Sequence, residues 1–262
     1  MILSLIWRKR LRFRSDTVTP HPPDRPRTAL VVMAHPDDAE FACGATVAGW
    51  AAEGWQITLV VCTDGGSGGP DEATDVTPET RRQLSATRKA EQLASAAVLG
   101  ISEVIFLDYP DGQLESTLEL RRELVRQMRR TRAYRLICQS PDRVWTPSYA
   151  LGRYHPDHLA VAAATLAAVY PAAQNAWDFP ELLAEGYAPS RVREIYVVSA
   201  PHLNYAVDIS TTIEQKLAAL RCHVSQLGHD QSALAERIRQ WAVERGEPFG
   251  LPLAESYHRV EN

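Results

Sequence analysis

The sequence predicts an α/β fold: a mostly parallel sheet with helices on both faces, and a metal site at the C-terminal edge of the strands. Three observations carry this expectation. Short apolar runs alternate with helical segments, the pattern of right-handed βαβ crossovers. The first run, Thr28 to Ala34, is continuously apolar, as a parallel strand buried on both faces should be. Polar loops rich in His, Asp and Gly follow the strands, and open α/β sheets bind ligands beyond those carboxyl ends.

Taken in order, the strand Thr28–Ala34 runs into Ala34-His-Pro-Asp-Asp-Ala-Glu40, and an alanine-rich helix follows from Phe41 to Glu53, ended by Gly54. Gln56–Cys62 is the second strand and leads into Thr63-Asp-Gly-Gly-Ser-Gly-Gly69, read as a flexible loop that covers substrate. Thr77 is an N-cap with Pro78 in the first turn, and the helix it opens stops at Gly100. Glu103–Leu107 is the third strand, followed by the loop Asp108–Gly112. Ser116-Thr-Leu-Glu119 reads as a capping box for a helix to about Arg130. Tyr134–Gln139 is the fourth strand; a longer loop then reaches His155-Pro-Asp-His158 and an alanine-rich helix to about Tyr170. Beyond Pro171, strands are expected at Arg193–Ser199 and Tyr205–Ile209. Helices are expected from a capping box at Thr211–Glu214 to Leu227 and over Gln231–Arg245.

The 262 residues are 45% hydrophobic and 23% charged, which favours one large domain, residues 28–262, over two. Residues 1–27, basic and then proline-rich, form an N-terminal extension. Its apolar start is too short to span a bilayer and its charges follow instead of precede, so neither a signal peptide nor stable membrane insertion is expected. A net charge of -4 supplies no basic field for nucleic acid. Four cysteines in apolar contexts, none in a CxxC pair, read as reduced thiols of a cytoplasmic protein.

The chemistry concentrates in two clusters. His35 and Asp38 are three residues apart across a strand-to-helix turn, and His155 and His158 have the same spacing at a helix start. Three carboxylates and an imidazole within six residues are costly unless a cation gathers them, and two histidines plus one carboxylate suffice for catalytic zinc. Taken singly, the first cluster is more simply a helix cap with a satisfied histidine, and the second is ambiguous, since Asp157 could cap its helix. Together, each following a strand, they favour a metal site. Spacing alone does not decide whether Asp37 or Asp38 is the ligand. The glycine loop has neither the dinucleotide spacing nor the P-loop ending.

Ala-His-Pro-Asp-Asp-Ala-Glu40 paired with His155-Pro-Asp-His158 resembles the PIG-L/LmbE-like deacetylases. The resemblance extends to Cys62-Thr-Asp-Gly65, Arg88-Lys-Ala-Glu91, Phe106–Gly112, Lys216–Gln226 and Ala254–Tyr257. It implies a Rossmann-like fold and a zinc-dependent hydrolase that removes an N-acetyl group from an N-acetylglucosamine-type small molecule or glycoconjugate. Carried over, His35, Asp38 and His158 would ligate the metal. Asp37 would be the general base toward a metal-activated water, His155 would stabilise the oxyanion and help protonate the leaving amine, and Asp157 would orient a histidine. Arg88, Asp64 and Asp111 are candidate sugar contacts, with a surface ion pair to Glu91 the plainer alternative for Arg88.

Some members that act in a sugar-thiol pathway carry a catalytic tyrosine two residues before the first histidine of the second motif. Arg153 stands there in this chain, with Tyr154 next to His155, and the two are candidates for a substrate or oxyanion role. Iron(II) suits the same ligand set as zinc. Two rival readings are a deacylase for another secondary-metabolite amide and a non-catalytic metal- or carbohydrate-binding protein. The sequence leaves room for a homo-oligomer. The loops Ser140–Arg153 and Gln174–Ser190 are expected to set specificity.

Overall fold

The computed structural model describes residues 25–145 and 154–262. Arg153 and most of the N-terminal extension lie outside the described residues. The elements in chain order are β1 (Thr28–Met33), α1 (Asp38–Ala52), β2 (Gln56–Thr63), α2 (Pro78–Leu99), β3 (Glu103–Tyr109), α3 (Leu118–Thr131), β4 (Arg135–Gln139) and α4 (Pro156–Val169). Then follow α5 (Pro180–Ala184), β5 (Glu194–Val198), β6 (Tyr205–Asp208), α6 (Ile213–Leu220), α7 (Val224–Leu227), α8 (Ser232–Gly246) and β7 (Ala254–Glu261).

Seven strands form one sheet in the order β3-β2-β1-β4-β5-β7-β6. The first five are parallel, whereas β7 pairs antiparallel with both β5 and β6. This is the expected mostly parallel α/β sheet. Alternate residues of β1 feed opposite layers. Leu30 and Val32 pack with Leu120, Leu124 and Val161 from α3 and α4. Val31 and Met33 pack with Cys43, Val47 and Leu99 from α1 and α2. Both faces of the central strands are thus dry, which is why they read as unbroken apolar runs. A third cluster joins Ala45 of α1 to Leu217 of α6 and to Ile238 and Ala242 of α8. No helix among the described residues is long and apolar enough to cross a membrane.

Local chemistry explains most boundaries. Thr77 caps α2 in a reciprocal box with Thr80, and Gly100 ends it with φ 74°, a left-handed conformation that suits glycine. At α3 the cap is Thr117, whose hydroxyl accepts from Leu120 N–H, and not the expected Ser116–Glu119 box. The helix expected to run from Glu214 to Leu227 is broken: α6 stops at Leu220 and α7 restarts at Val224. The break turns His223 inward against Glu40, Nε2 to Oε2 3.6 Å. The strand β7 was not expected, because most of its residues are polar, including the buried Glu255 and Ser256.

The chain passes from β1 to β2 on one side and to β4 on the other, so the order reverses between β1 and β4. The connections leaving the carboxyl ends of these two strands part to opposite sides there, the preferred binding place in such sheets. His35 follows β1, and Gln139 and Ser140 end β4.

Candidate active site

Asp37 occupies the position before α1 with φ 91°, left-handed and uncommon for a residue other than glycine. It makes no side-chain cap bond. Its carboxylate is therefore not used as a helix cap, the plainer of the two readings of this turn. Three contacts hold the strained turn. Asp37 N–H donates to Gln92 Oε1 at 2.9 Å, Arg88 Nη2 donates to Pro36 O at 2.8 Å, and Arg88 Nη2 lies 3.5 Å from Asp37 Oδ2.

Asp38 opens α1 and turns back. Its Oδ2 accepts from His35 N–H (2.8 Å) and from Gln139 Nε2 (3.1 Å). That leaves Oδ1 beside His158 Nε2 at 3.2 Å. His158 Nε2 is also 3.1 Å from His35 Nδ1, which lies 3.5 Å from Asp38 Oδ2. Tetrahedral zinc bonded at about 2.0–2.1 Å holds its ligands roughly 3.3 Å apart. The mutual spacing of His35, Asp38 and His158 thus fits a divalent ion bound by two imidazoles and one carboxylate, and ligand atoms of the three converge.

The far side of His35 is equally engaged. Its Nε2 lies 3.1 Å from Asp157 Oδ2 and 3.1 Å from Asp111 Oδ1. Asp157 is fully buried and accepts from Gly112 N–H (2.7 Å) and Leu114 N–H (3.1 Å), so it does not cap α4. The cap of α4 is His155, whose Nδ1 accepts from Asp157 N–H at 3.2 Å. The neutral His155 ring therefore carries its proton on Nε2. Its ring stands edge-on to His35, centroids 4.6 Å apart.

The charges follow this geometry. Burial and the neighbouring Asp38 push the Asp37 carboxyl up to about 7, against the pull of Arg88. Burial would also raise Asp38, but His158 and His35 overcome it and hold Asp38 well below the usual carboxylate range. Burial disfavours a charged His35, yet bonds to Asp111, Asp157 and Asp38 raise it to about 11. Three carboxylates around one imidazole require positive charge, which a bound cation supplies as a proton does. Burial lowers His155, and the charge of His35 pushes the same way.

The other expected residues divide. Arg88 is buried and makes no pair with Glu91, which instead accepts from Ser225. Its Nη1 donates to Gly65 O at 3.0 Å, and a Cβ at Gly68 would sit 2.4 Å from that nitrogen. The glycines of this loop make room for Arg88. Asp64 Oδ1 accepts from Gly66 N–H (2.9 Å) and Asp111 N–H (3.1 Å). Asp111 Oδ2 accepts from Ser67 N–H at 2.9 Å. With Gln226 Nε2 donating to Gly68 O at 3.0 Å, the loop is pinned, contrary to the flexible cover expected. Asp64 and Asp111 are occupied in building it. Tyr154 accepts from Val144 N–H at 2.7 Å and lines a cleft of about 220 Å³ above Asp38 and His158.

Sequence reasoning missed Gln92 and Gln139. Gln139 ends β4, so the strand-end rule that singled out His35 applied to it as well. Gln92 carried no signal beyond its helix. It is held by Glu40 Oε1, which accepts from Gln92 Nε2 (2.7 Å) and Ser95 Oγ (2.6 Å).

A family model described as PIG-L, GlcNAc-PI de-N-acetylase, matches residues 30–169, a span that contains both histidine clusters. The chain belongs to the PIG-L family. It is 30% identical over 235 residues to a diacetylchitobiose deacetylase of Thermococcus kodakarensis, covering 89% of this chain and 83% of that protein. A 1D-myo-inositol 2-acetamido-2-deoxy-alpha-D-glucopyranoside deacetylase of Nakamurella multipartita is 31% identical over 277 residues, covering 90% of each chain. Among solved structures, the N,N'-diacetylchitobiose deacetylase of Pyrococcus horikoshii superposes with a TM-score of 0.79 at 26% identity, over 90% of this chain and 84% of that one. These three relatives are by name deacetylases of N-acetyl sugars, and the Pyrococcus horikoshii protein shares the α/β fold seen here.

Proposed function

We propose that this chain is a zinc-dependent hydrolase that removes the N-acetyl group from an N-acetylglucosamine-type small molecule or glycoconjugate. The observation that carries the proposal is the triangle of His35, Asp38 and His158 at 3.1–3.5 Å beside an uncapped, half-buried Asp37. A divalent ion held there supplies a Lewis acid for the amide carbonyl and acidifies water.

In this proposal His35 Nδ1, His158 Nε2 and Asp38 Oδ1 hold the ion. Asp157 and Asp111 fix the His35 ring from its other nitrogen, as carboxylates commonly do for metal-binding histidines. Asp37, raised toward neutrality, takes a proton from the attacking water and is poised to return it to the leaving amine. His155 offers Nε2–H to the oxygen that becomes negative as water adds. Arg88 holds Asp37 in place from behind. Tyr154 contributes to the cleft wall, and Arg153, two residues before His155, remains a candidate substrate contact. Iron(II) fits the same donors, and metal analysis of the purified chain distinguishes the two.

Residues 28–262 act as one catalytic domain. The four cysteines are unpaired, which supports a reducing, cytoplasmic setting. Release of acetate from N-acetylglucosamine conjugates tests the function. Asp37→Ala is expected to lower kcat by roughly 10²–10⁴, the range for losing a general base. Full activity in that variant would refute the mechanism.

A further inference from the structure

The amino ends of the parallel strands form the edge of the sheet opposite His35. The six residues of β1, at about 3.3 Å each, put the two edges roughly 20 Å apart. A cavity of about 150 Å³ lies at this far edge, where the chain enters β1 and where β4 and β5 begin. Arg25, Arg132, Arg191 and Arg193 line it, with Ser190 and Tyr134, and no carboxylate does. Four arginines at one spot stand out in a chain whose net charge is -4. Arg25 has an interaction of its own, but the side chains of Arg132, Arg191 and Arg193 make no hydrogen bond or ion pair with a described residue. Glu194 and Glu261, whose charges reach Tyr134, are already paired: Glu194 with Arg135 and Arg259, and Glu261 with Arg259. The field at the end of α3 accounts for Arg132, which caps that helix. It does not account for Arg191 and Arg193, which arrive from the segment before β5. Like charges brought to one cavity repel unless an anion gathers them.

We propose that this cavity binds a phosphate-bearing anion, at a site separate from the histidine clusters. Guanidinium groups present paired N–H donors that match phosphate oxygens, and Ser190 adds a hydroxyl. A neutral N-acetyl sugar has no charge to balance three unpaired guanidiniums, so the site is independent of the deacetylase reading. The phosphate is either free or part of a lipid headgroup. The basic run Arg8-Lys-Arg-Leu-Arg-Phe-Arg14, which precedes Arg25 in sequence, is the reason to test the second source.

The test titrates the full chain with inorganic pyrophosphate and, separately, mixes it with vesicles of phosphatidylglycerol or of phosphatidylcholine. Combining Arg132→Asn with Arg191→Gln removes two exposed guanidiniums, and asparagine suits the left-handed φ of 49° at residue 132. Arg82→Gln, exposed on α2, removes a charge elsewhere as a control. Pyrophosphate affinity should fall at least about tenfold in the double variant, the worth of a charge-assisted hydrogen bond, and hold in the control. Binding to phosphatidylglycerol vesicles that pyrophosphate displaces, and that the double variant loses, identifies a headgroup. Pyrophosphate binding without such vesicle binding, or with vesicle binding that persists in the double variant, identifies free phosphate. No pyrophosphate binding by the wild type overturns the site. So does equal affinity in the double variant, as when the histidine clusters take the anion, or an equal loss in the control.

Discussion

The charges around Lys216 and those around His35 are both withdrawn from water, but only the first group is balanced. Lys216 Nζ donates to Glu255 Oε1 (2.6 Å) and Phe41 O (2.8 Å). Glu255 also accepts from Ala45 N–H (3.2 Å), Thr46 N–H (2.8 Å) and the Tyr257 hydroxyl (3.2 Å). One cation meets one anion, and the remaining lone pairs are filled. Around His35, three carboxylates face two imidazoles and one guanidinium, Arg88 Nη1 lying 3.8 Å from Asp111 Oδ2. The closed pair locks β7 onto α1 and α6. The acidic excess of the open cluster makes it a place for a cation. Burial alone does not separate structural from functional charge; the balance of partners does.

The largest effect expected of this contrast is on stability. Lys216→Met leaves Glu255 buried without its cation and should cost about 3–5 kcal/mol in denaturant unfolding. The protein that remains folded should bind metal as the wild type does. A loss of metal with unchanged stability would erase the distinction between the two clusters. Next, Asp157→Asn weakens the support of His35 without removing a ligand. Metal affinity should fall roughly 10–100-fold, read by competition with a chelator. Unchanged affinity would mean that the His35 ring is held by Asp111 alone.

The smallest effect concerns a third balanced group, Glu194 with Arg135, Arg259 and Tyr196. Burial would raise this carboxyl, but the Tyr196 hydroxyl and the two guanidinium groups bring it below its ordinary value of 4.5. A carboxyl lowered by folding stabilises the protein above its unfolded value, and that stability is lost as pH falls through the folded one. Wild-type stability should therefore decline below about pH 4.5 more steeply than that of Glu194→Gln. Parallel pH profiles would show that the pair does not titrate with unfolding.

Most of the parallel half was readable in the sequence because β1, β2 and β4 are buried on both faces and α2 carries its own stop at Gly100. Both halves of the candidate site stood out in the sequence because imidazoles and carboxylates crowd at two helix starts, ahead of α1 and of α4. The antiparallel edge was harder. β7 is mostly polar in sequence, with Glu255 and Ser256 buried in it, and the break at His223 serves a contact with Glu40 that lies far away in sequence. Gln92 shows the same limit: a glutamine in a helix looks like solvent-facing polarity, and only the fold turns it onto the backbone of Asp37. Arg88 read as a sugar contact or as half of a surface pair, and it is a buried brace. Local periodicity marks elements, whereas partners fifty or more residues apart leave no local trace.

The separate roles of the two adjacent aspartates are the centre of the proposal, and paired metal and activity assays address them most directly. Asp37→Ala should keep bound zinc at the wild-type stoichiometry and lose deacetylation, whereas His158→Ala should lose both. Metal lost from Asp37→Ala but retained in His158→Ala would contradict the assignment of ligand and base.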